Sequence, residues 1–444
     1  MLRHHLKFHL PGSLRKYLTS GRWSRTFAFL LTILATTLAV LLVFNLGLGD
    51  QQVDKPLNHT YSIEDSEFRH AISRLLGPGL VEGNQIDTLI NGEEIFPAML
   101  AAIRSAQKTI TLETYIFYPG KTARQFADAL IERAQHGVQV YVLLDWVGGQ
   151  VRDDVAERME DSGVQLRWYH APRLTSLPIM NNRTHRKILV VDGKTGFIGG
   201  VDIGDKWRGD AEKPLHWRDS HFRITGPVVG QLQAAFMDNW LQTTGELLTG
   251  PQYFPDLEVE GRLPAQVFIS SSGGGAESMQ LMYLMSIAAA QKSIHLSSAY
   301  FIPDEVSTQQ LINAAKRGVK VQIIVPGDEI DWAVVRRASR NTWGPLLEAG
   351  VEIYEYQPSR YHVKLLVVDG VWTSVGSSNF DPRSFAINDE SNLNVYSAAF
   401  AQKQIEIFNR DLRQSRRITL QEWRERSLWN KFLDEASTLL SPQL

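Results

Sequence analysis

The chain has 444 residues, 43% of them hydrophobic, no cysteine, and a formal net charge of −2. This is enough apolar material for more than one domain, and the lack of cysteine excludes disulfides, thiolate nucleophiles and cysteine metal sites. The charge is uneven: residues 1–49 carry Arg3, Lys7, Arg15, Lys16, Arg22 and Arg25 and no acid, and the chain's −2 less this +6 leaves −8 on the remainder. An acidic body argues against a broad electrostatic grip on nucleic acid.

In chain order, residues 1–25 form a basic tail. Residues 26–49, "TFAFLLTILATTLAVLLVFNLGLG", are 24 positions without a charge. A helix of that length reaches roughly 36 Å, against a bilayer core of ~30 Å, so it is predicted to cross a membrane. A cleaved signal peptide has a shorter apolar region, and "NLGLG" is a poor cleavage site. Six basic residues precede the span and Asp50, Asp54 and Lys55 follow it, which predicts a cytoplasmic N-terminus and a body outside. Residues 50–84 are predicted to be a juxtamembrane segment.

From residue 85 the chain reads as two copies in the same order. "AQKTITLETYIFYP" (106–119) matches "AQKSIHLSSAYFIP" (290–303), and "ERAQHGVQVYVLLD" (132–145) matches "NAAKRGVKVQIIVP" (313–326). "MEDSGVQLRWY" (159–169) matches "LLEAGVEIYEY" (346–356), and "HRKILVVDGKTGFIGGVDI" (185–203) matches "HVKLLVVDGVWTSVGSSNF" (362–380). Amphipathic helices over about 96–107 and 122–136 alternate with apolar strands, which predicts α/β domains with buried central strands. The expected units are 85–249, a linker at 250–266 rich in Pro and Gly, and 267–444. Residues 401–440 are predicted to be helical. Their Arg410, Arg413, Arg416, Arg417, Arg424 and Arg426 stand beside Trp423, Trp429 and Phe432, either on a membrane surface or packed as a terminal helix.

The chemistry lies in the repeated stretch. In extended chain, residues i and i+2 share a face, so His185 projects with Lys187, and His362 with Lys364. The apolar runs "ILVV" and "LLVV" then bury each strand, and Asp192 and Asp369 close it before a Gly turn. An unpaired imidazole and ammonium are costly to desolvate, and a phosphate suits both. A bound metal does not suit them, because two ammonium groups would repel a cation. No metal and no cofactor is expected.

His-x-Lys-(x)4-Asp twice in one chain resembles the phospholipase D superfamily. The likeness extends to "GG" (199–200) and "GSSN" (376–379) at the family's Gly-Ser-x-Asn position, to "WRD" (217–219) and to Glu390. "GSSNFDPRSF" and "NGEEIFPAMLAAI" are most similar to bacterial cardiolipin synthases. The resemblance implies two similar α/β/α sandwich domains about a pseudo-twofold axis, sharing one site. Its catalytic motif residues would be His185, Lys187, Asp192, His362, Lys364 and Asp369, the two aspartates serving mainly to tie down strand ends. His185 would attack phosphorus and His362 act as acid, then base. Lys187, Lys364 and Asn379 would hold phosphate, and Asp219 and Glu390 would orient the histidines. Asp202 stands where the second copy has Asn379, so the phosphate-holding role is not extended to it.

The implied reaction makes cardiolipin from two phosphatidylglycerol molecules with release of glycerol; phosphatidylethanolamine is a further candidate substrate. The alternatives are a phospholipase D releasing phosphatidic acid and a nuclease of the same superfamily. Membrane and phospholipid are the expected partners, and nucleic acid is not. The expected location is the bacterial inner membrane, with the body in the periplasm. Leu174, Leu177, Ile179 and Met180, between Arg173 and Arg183, form an apolar loop that could dip into the lipid interface.

Overall fold

The computed structural model describes residues 23–46, 53, 55–58, 61–171, 181–271 and 277–438. The loop Leu174–Met180 lies outside these residues. The first copy contributes β1 (Val81–Ile90), β2 (Thr109–Thr114), β3 (Gln139–Asp145), β4 (Gln165–Tyr169), β5 (Ile188–Val191), β6 (Thr195–Gly199), β7 (Trp217–Arg218) and β8 (Ser220–Thr225). The second contributes β9 (Leu263–Ser270), β10 (Ser293–Ser297), β11 (Lys320–Pro326), β12 (Glu352–Tyr356), β13 (Arg360–Tyr361), β14 (Leu365–Val368), β15 (Trp372–Gly376), β16 (Glu390–Tyr396) and β17 (Ser415–Ile418). β9 therefore begins within the stretch 250–266.

Fifteen strands join edge to edge in the order β17-β12-β11-β10-β14-β15-β16-β9-β1-β8-β6-β5-β2-β3-β4. Outward from the β1–β9 seam the two copies run through corresponding strands. The two expected sandwiches thus share one continuous sheet, because β1 and β9 pair antiparallel, with Val81 opposite Ala265 and Asn84 opposite Leu263. β2–β3–β4 and β10–β11–β12 are parallel and need helical crossovers. Lys121–Gln135 and Glu305–Lys316 supply two of them. Each ends in a Gly with positive φ, Gly137 at 84° and Gly318 at 92°, a conformation that reverses the chain into the next strand without a Cβ clash.

The repeated apolar runs alternate between two faces, as strand geometry requires. Leu189 and Val191 of β5 pack into the first half's own core, and Leu366 and Val368 of β14 into the second half's. Ile188, Val190, Leu365 and Val367 meet in a central core shared by both halves, under the helices Val229–Thr244 and Ala398–Arg413.

The segment before β1 is not a simple lead-in. Phe68 and Ile72, on the helix Ser66–Leu75, are fully buried in the second half's core. Phe68 meets the Trp372 ring edge-on at 5.2 Å, and Ile63 N–H donates to Ala289 O at 3.2 Å. Burial of each such side chain stabilises by roughly 1.5–3 kcal/mol, so this segment is part of the body.

The C-terminal stretch also departs from an all-helical expectation. After Ala398–Arg413, β17 adds to the sheet edge against β12, and Arg416 pairs with Glu355 at 2.7 Å. The helices Leu420–Arg424 and Leu428–Thr438 follow. Trp423 packs under the Arg426 guanidinium and donates to Arg340 O, while Leu428, Trp429 and Phe432 are exposed.

Near the N-terminus a helix runs over Trp23–Leu46. Its described side chains, at 27–37, 39 and 40, are all exposed. Among the described residues no helix is long and apolar enough to cross a membrane. The predicted span is therefore not established by the fold.

Candidate active site

The two histidines stand just ahead of β5 and β14, and the chain of the other half holds each in place. His185 N–H donates to Asp389 O, and His362 N–H to Arg218 O, both at 2.8 Å. Asp389 precedes Glu390 and Arg218 precedes Asp219, so each backbone contact delivers a carboxylate to the opposite half's imidazole. His185 Nδ1 lies 2.9 Å from both Glu390 oxygens, and His362 Nδ1 lies 2.6 Å from Asp219 Oδ2. An ionised carboxylate accepts only, so Nδ1 carries the hydrogen and Nε2 is left for chemistry.

The acids are held in turn. Glu390 accepts from the Ser377 hydroxyl at 2.5 Å. Asp219 accepts from Ser220 N–H at 2.8 Å and Trp207 Nε1 at 3.2 Å. The "GG" pair has its reason here: a Cβ on Gly200 would lie 2.3 Å from Asp219 Oδ1, well inside contact distance.

Both lysines are buried beneath the histidines, each Nζ donating to the carbonyl of its own histidine at 2.8 Å. They do not line the cavity above. The two differ in one respect. Lys187 Nζ lies 3.4 Å from Asp202 Oδ2, whereas among the described residues no carboxylate forms an ion pair with Lys364. Asp202 Oδ1 also accepts from the Thr114 hydroxyl and from the N–H groups of Tyr115 and Ile116. The carboxylate that broke the repeat is therefore paired.

A cavity of about 420 Å³ opens over the histidines. Its walls include His185, His362, Asn379, Asp202, Tyr115, Lys206 and Trp217. Asn379 lines this cavity, and its side-chain oxygen is buried without a hydrogen-bond partner. Asp192 and Asp369, motif residues expected mainly to tie down strand ends, lie at the far ends of β5 and β14. Both adopt positive φ in Asp-Gly turns. Asp192 accepts from the N–H groups of Gln107, Lys108 and Thr109, and Asp369 from those of Gln291, Lys292 and Ser293. They pin the start of the neighbouring strand and touch no reacting group.

The electrostatics of the two pairs are unequal. Burial would raise Glu390, but His185, Lys187 and Ser377 outweigh it and hold the carboxyl at about 2. Burial pushes His185 below its ordinary value, with Glu390 pulling the other way. The first pair is thus a neutral imidazole on an ionised carboxylate. Burial lifts Asp219 to about 6 against the pull of Lys364 and Ser220 N–H. His362 is driven well down by burial, then by Lys364 and Lys187, and burial lowers Lys364 to about 8. The carboxyl of the second pair is therefore held above that of the first.

Sequence reasoning missed the residues behind His185. Thr184 donates through its hydroxyl to Glu113 Oε1 at 2.5 Å and through its N–H to Asp145 Oδ2 at 3.1 Å. Their signal was present: Glu113 interrupts the apolar β2 and Asp145 ends the apolar β3. It also missed Trp217, whose ring lies 4.7 Å from the His362 ring.

A family profile described as "Cardiolipin synthase, PLD-like domain" matches residues 99–239 and 283–412. The chain belongs to this family of cardiolipin synthases with a PLD-like domain. Membership makes it a phosphatidyltransferase-type enzyme. The major cardiolipin synthase ClsA of Bacillus subtilis (strain 168) is 34% identical over 82% of this chain and 76% of its own length. Cardiolipin synthase 2 of Bacillus anthracis is 35% identical over 89% of this chain and 77% of its own. Among solved structures, phosphatidylserine synthase of Haemophilus influenzae Rd KW20 superposes with a TM-score of 0.64 at 16% identity, covering 85% of this chain and all of that one. At that identity the likeness speaks for the fold alone.

Proposed function

We propose that this cardiolipin synthase family member joins two phosphatidylglycerol molecules into cardiolipin and glycerol through a phosphohistidine at His185. The observation that carries the reading is the crossed pairing: two histidines, each held at Nδ1 by the other half's carboxylate, open on one cavity. His185 Nε2, neutral beside an ionised Glu390, attacks the donor phosphorus. As the P–N bond forms, the P–O bond to glycerol breaks and His362, entering this step as an imidazolium between the Asp219 carboxylate and the anionic phosphate, gives the leaving oxygen its Nε2 proton. His362 then takes the proton of the acceptor hydroxyl, whose oxygen bonds to phosphorus as the P–N bond breaks. Asn379 offers its side-chain amide to a non-bridging oxygen. Lys187 and Lys364 place positive charge beneath the transferring group, and Lys364 contributes more of it because Asp202 offsets Lys187.

The protein made in full and reconstituted into phosphatidylglycerol vesicles should form more cardiolipin than phosphatidic acid. Almost pure phosphatidic acid with glycerol would make it a phospholipase.

The reading includes an anchor at the inner membrane. Phe27, Phe29, Leu30, Leu31 and Leu34 project from the Trp23–Leu46 helix with more than half of their surface exposed, and they need a lipid or protein cover. The basic tail places the N-terminus in the cytoplasm. A periplasm-dependent reporter fused after Leu444 should be active, and a fusion active only in the cytoplasm would reverse the topology.

A further inference from the structure

Lys206 is on the cavity wall and has no role in the steps above. It sits on the single turn Asp205–Trp207. Its Nζ faces three rings, at 4.2 Å from the centroid of Trp217, 4.7 Å from Tyr118 and 5.2 Å from Trp207. Contacts of this kind stabilise an ammonium by roughly 0.5–2 kcal/mol but leave its three N–H donors unused. Among the described residues Nζ has no hydrogen bond and no ion pair. Asp331 and Asp202 act on it only at longer range. Asp331 accepts from the Tyr300 hydroxyl at 2.8 Å, and Asp202 is taken up by Lys187. A half-buried cation, fixed by π faces with its donors free, suits an incoming anion.

Its position says which anion. Trp217 and Trp207, which hold Lys206, also flank the His362 ring, at 4.7 and 5.6 Å between centroids. Lys206 therefore lies on the His362 side, where the leaving alcohol departs and the accepting alcohol enters. We propose that Lys206 binds the phosphodiester of the acceptor lipid, one glycerol away from the phosphorus under attack. The inference rests on the cardiolipin-forming reading. In the first step this end of the glycerol site holds a free hydroxyl of the departing glycerol. In the second step the acceptor brings a phosphate to the same place. Lys206 thus favours a phospholipid alcohol over water or free glycerol once the phosphohistidine has formed, with no change in the bonds made or broken.

The test supplies two acceptors together. The full-length protein in phosphatidylglycerol vesicles with ethanol should yield both cardiolipin and phosphatidylethanol, and ethanol carries no phosphate for Lys206 to hold. Lys206→Met and Lys206→Gln should lower the cardiolipin-to-phosphatidylethanol ratio by about tenfold or more, and Lys206→Arg should recover most of it. An unchanged ratio overturns the assignment. So does a parallel fall in both products, which would mean that Lys206 only supports the fold or His362. If the wild type makes phosphatidylethanol and no cardiolipin, the synthase reading itself fails, and the acceptor subsite with it.

Discussion

His185→Ala should lose at least about 10⁴-fold in turnover, because it removes the atom that bonds to phosphorus rather than a proton carrier. His362→Ala should fall as far with phosphatidylglycerol, yet by a different route. His185 and its ionised Glu390 remain intact in that variant, so attack on phosphorus is still available when the leaving group needs no proton. With a phosphatidyl ester of p-nitrophenol, His362→Ala should release nitrophenol in a burst and accumulate a phosphatidyl adduct on His185. Release by the acceptor is slow without a base. Mass spectrometry of the quenched protein locates the adduct. An adduct on His362 in His185→Ala, with none on His185 in His362→Ala, would exchange the two roles.

The crossed carboxylates carry the second large effect. Glu390→Gln and Asp219→Asn keep shape but lose the acceptor that fixes each imidazole tautomer, and a loss of ~10²–10⁴-fold is expected for each. Their signatures should separate. Asp219 serves His362 at 2.6 Å, so Asp219→Asn impairs protonation of glycerol and should be largely relieved by the nitrophenol ester. Glu390 serves His185, so Glu390→Gln slows attack itself and the better leaving group should not rescue it. The reverse pattern would mean that each acid acts on the histidine of its own half. The assignment also predicts coupling across the halves: Glu390→Gln added to His185→Ala should cost little more, because the two act as one unit.

The comparisons with known proteins establish the family and leave the donor and acceptor roles to such experiments. The asymmetry between the halves is what makes them informative. Asp202 neutralises Lys187, and among the described residues no carboxylate pairs with Lys364 in the same way, so the two copies of one motif no longer have the same charge.

What is local and periodic in this fold can be read from the residues alone. The two His-x-Lys runs, the buried strands behind them, the Asp-Gly turns and the Gly-terminated crossover helices were legible, because each depends on neighbours within a few residues and repeats with a strand or helix period. Asp219 and Glu390 could be picked out as acids near the motifs. Their partners could not: each lies closer in sequence to the histidine of its own half than to the one it serves, 143 and 205 residues away. That choice was made by backbone contacts between the halves, Arg218 to His362 and Asp389 to His185. The Trp207–Trp217 pair that lets Lys206 and His362 share two indoles is of the same kind. So are the fusion of both sheets at β1–β9 and the seating of Phe68 in the second half's core. These contacts form only when distant segments close on one another, and no local pattern of apolar and polar residues specifies which distant partner a side chain will meet.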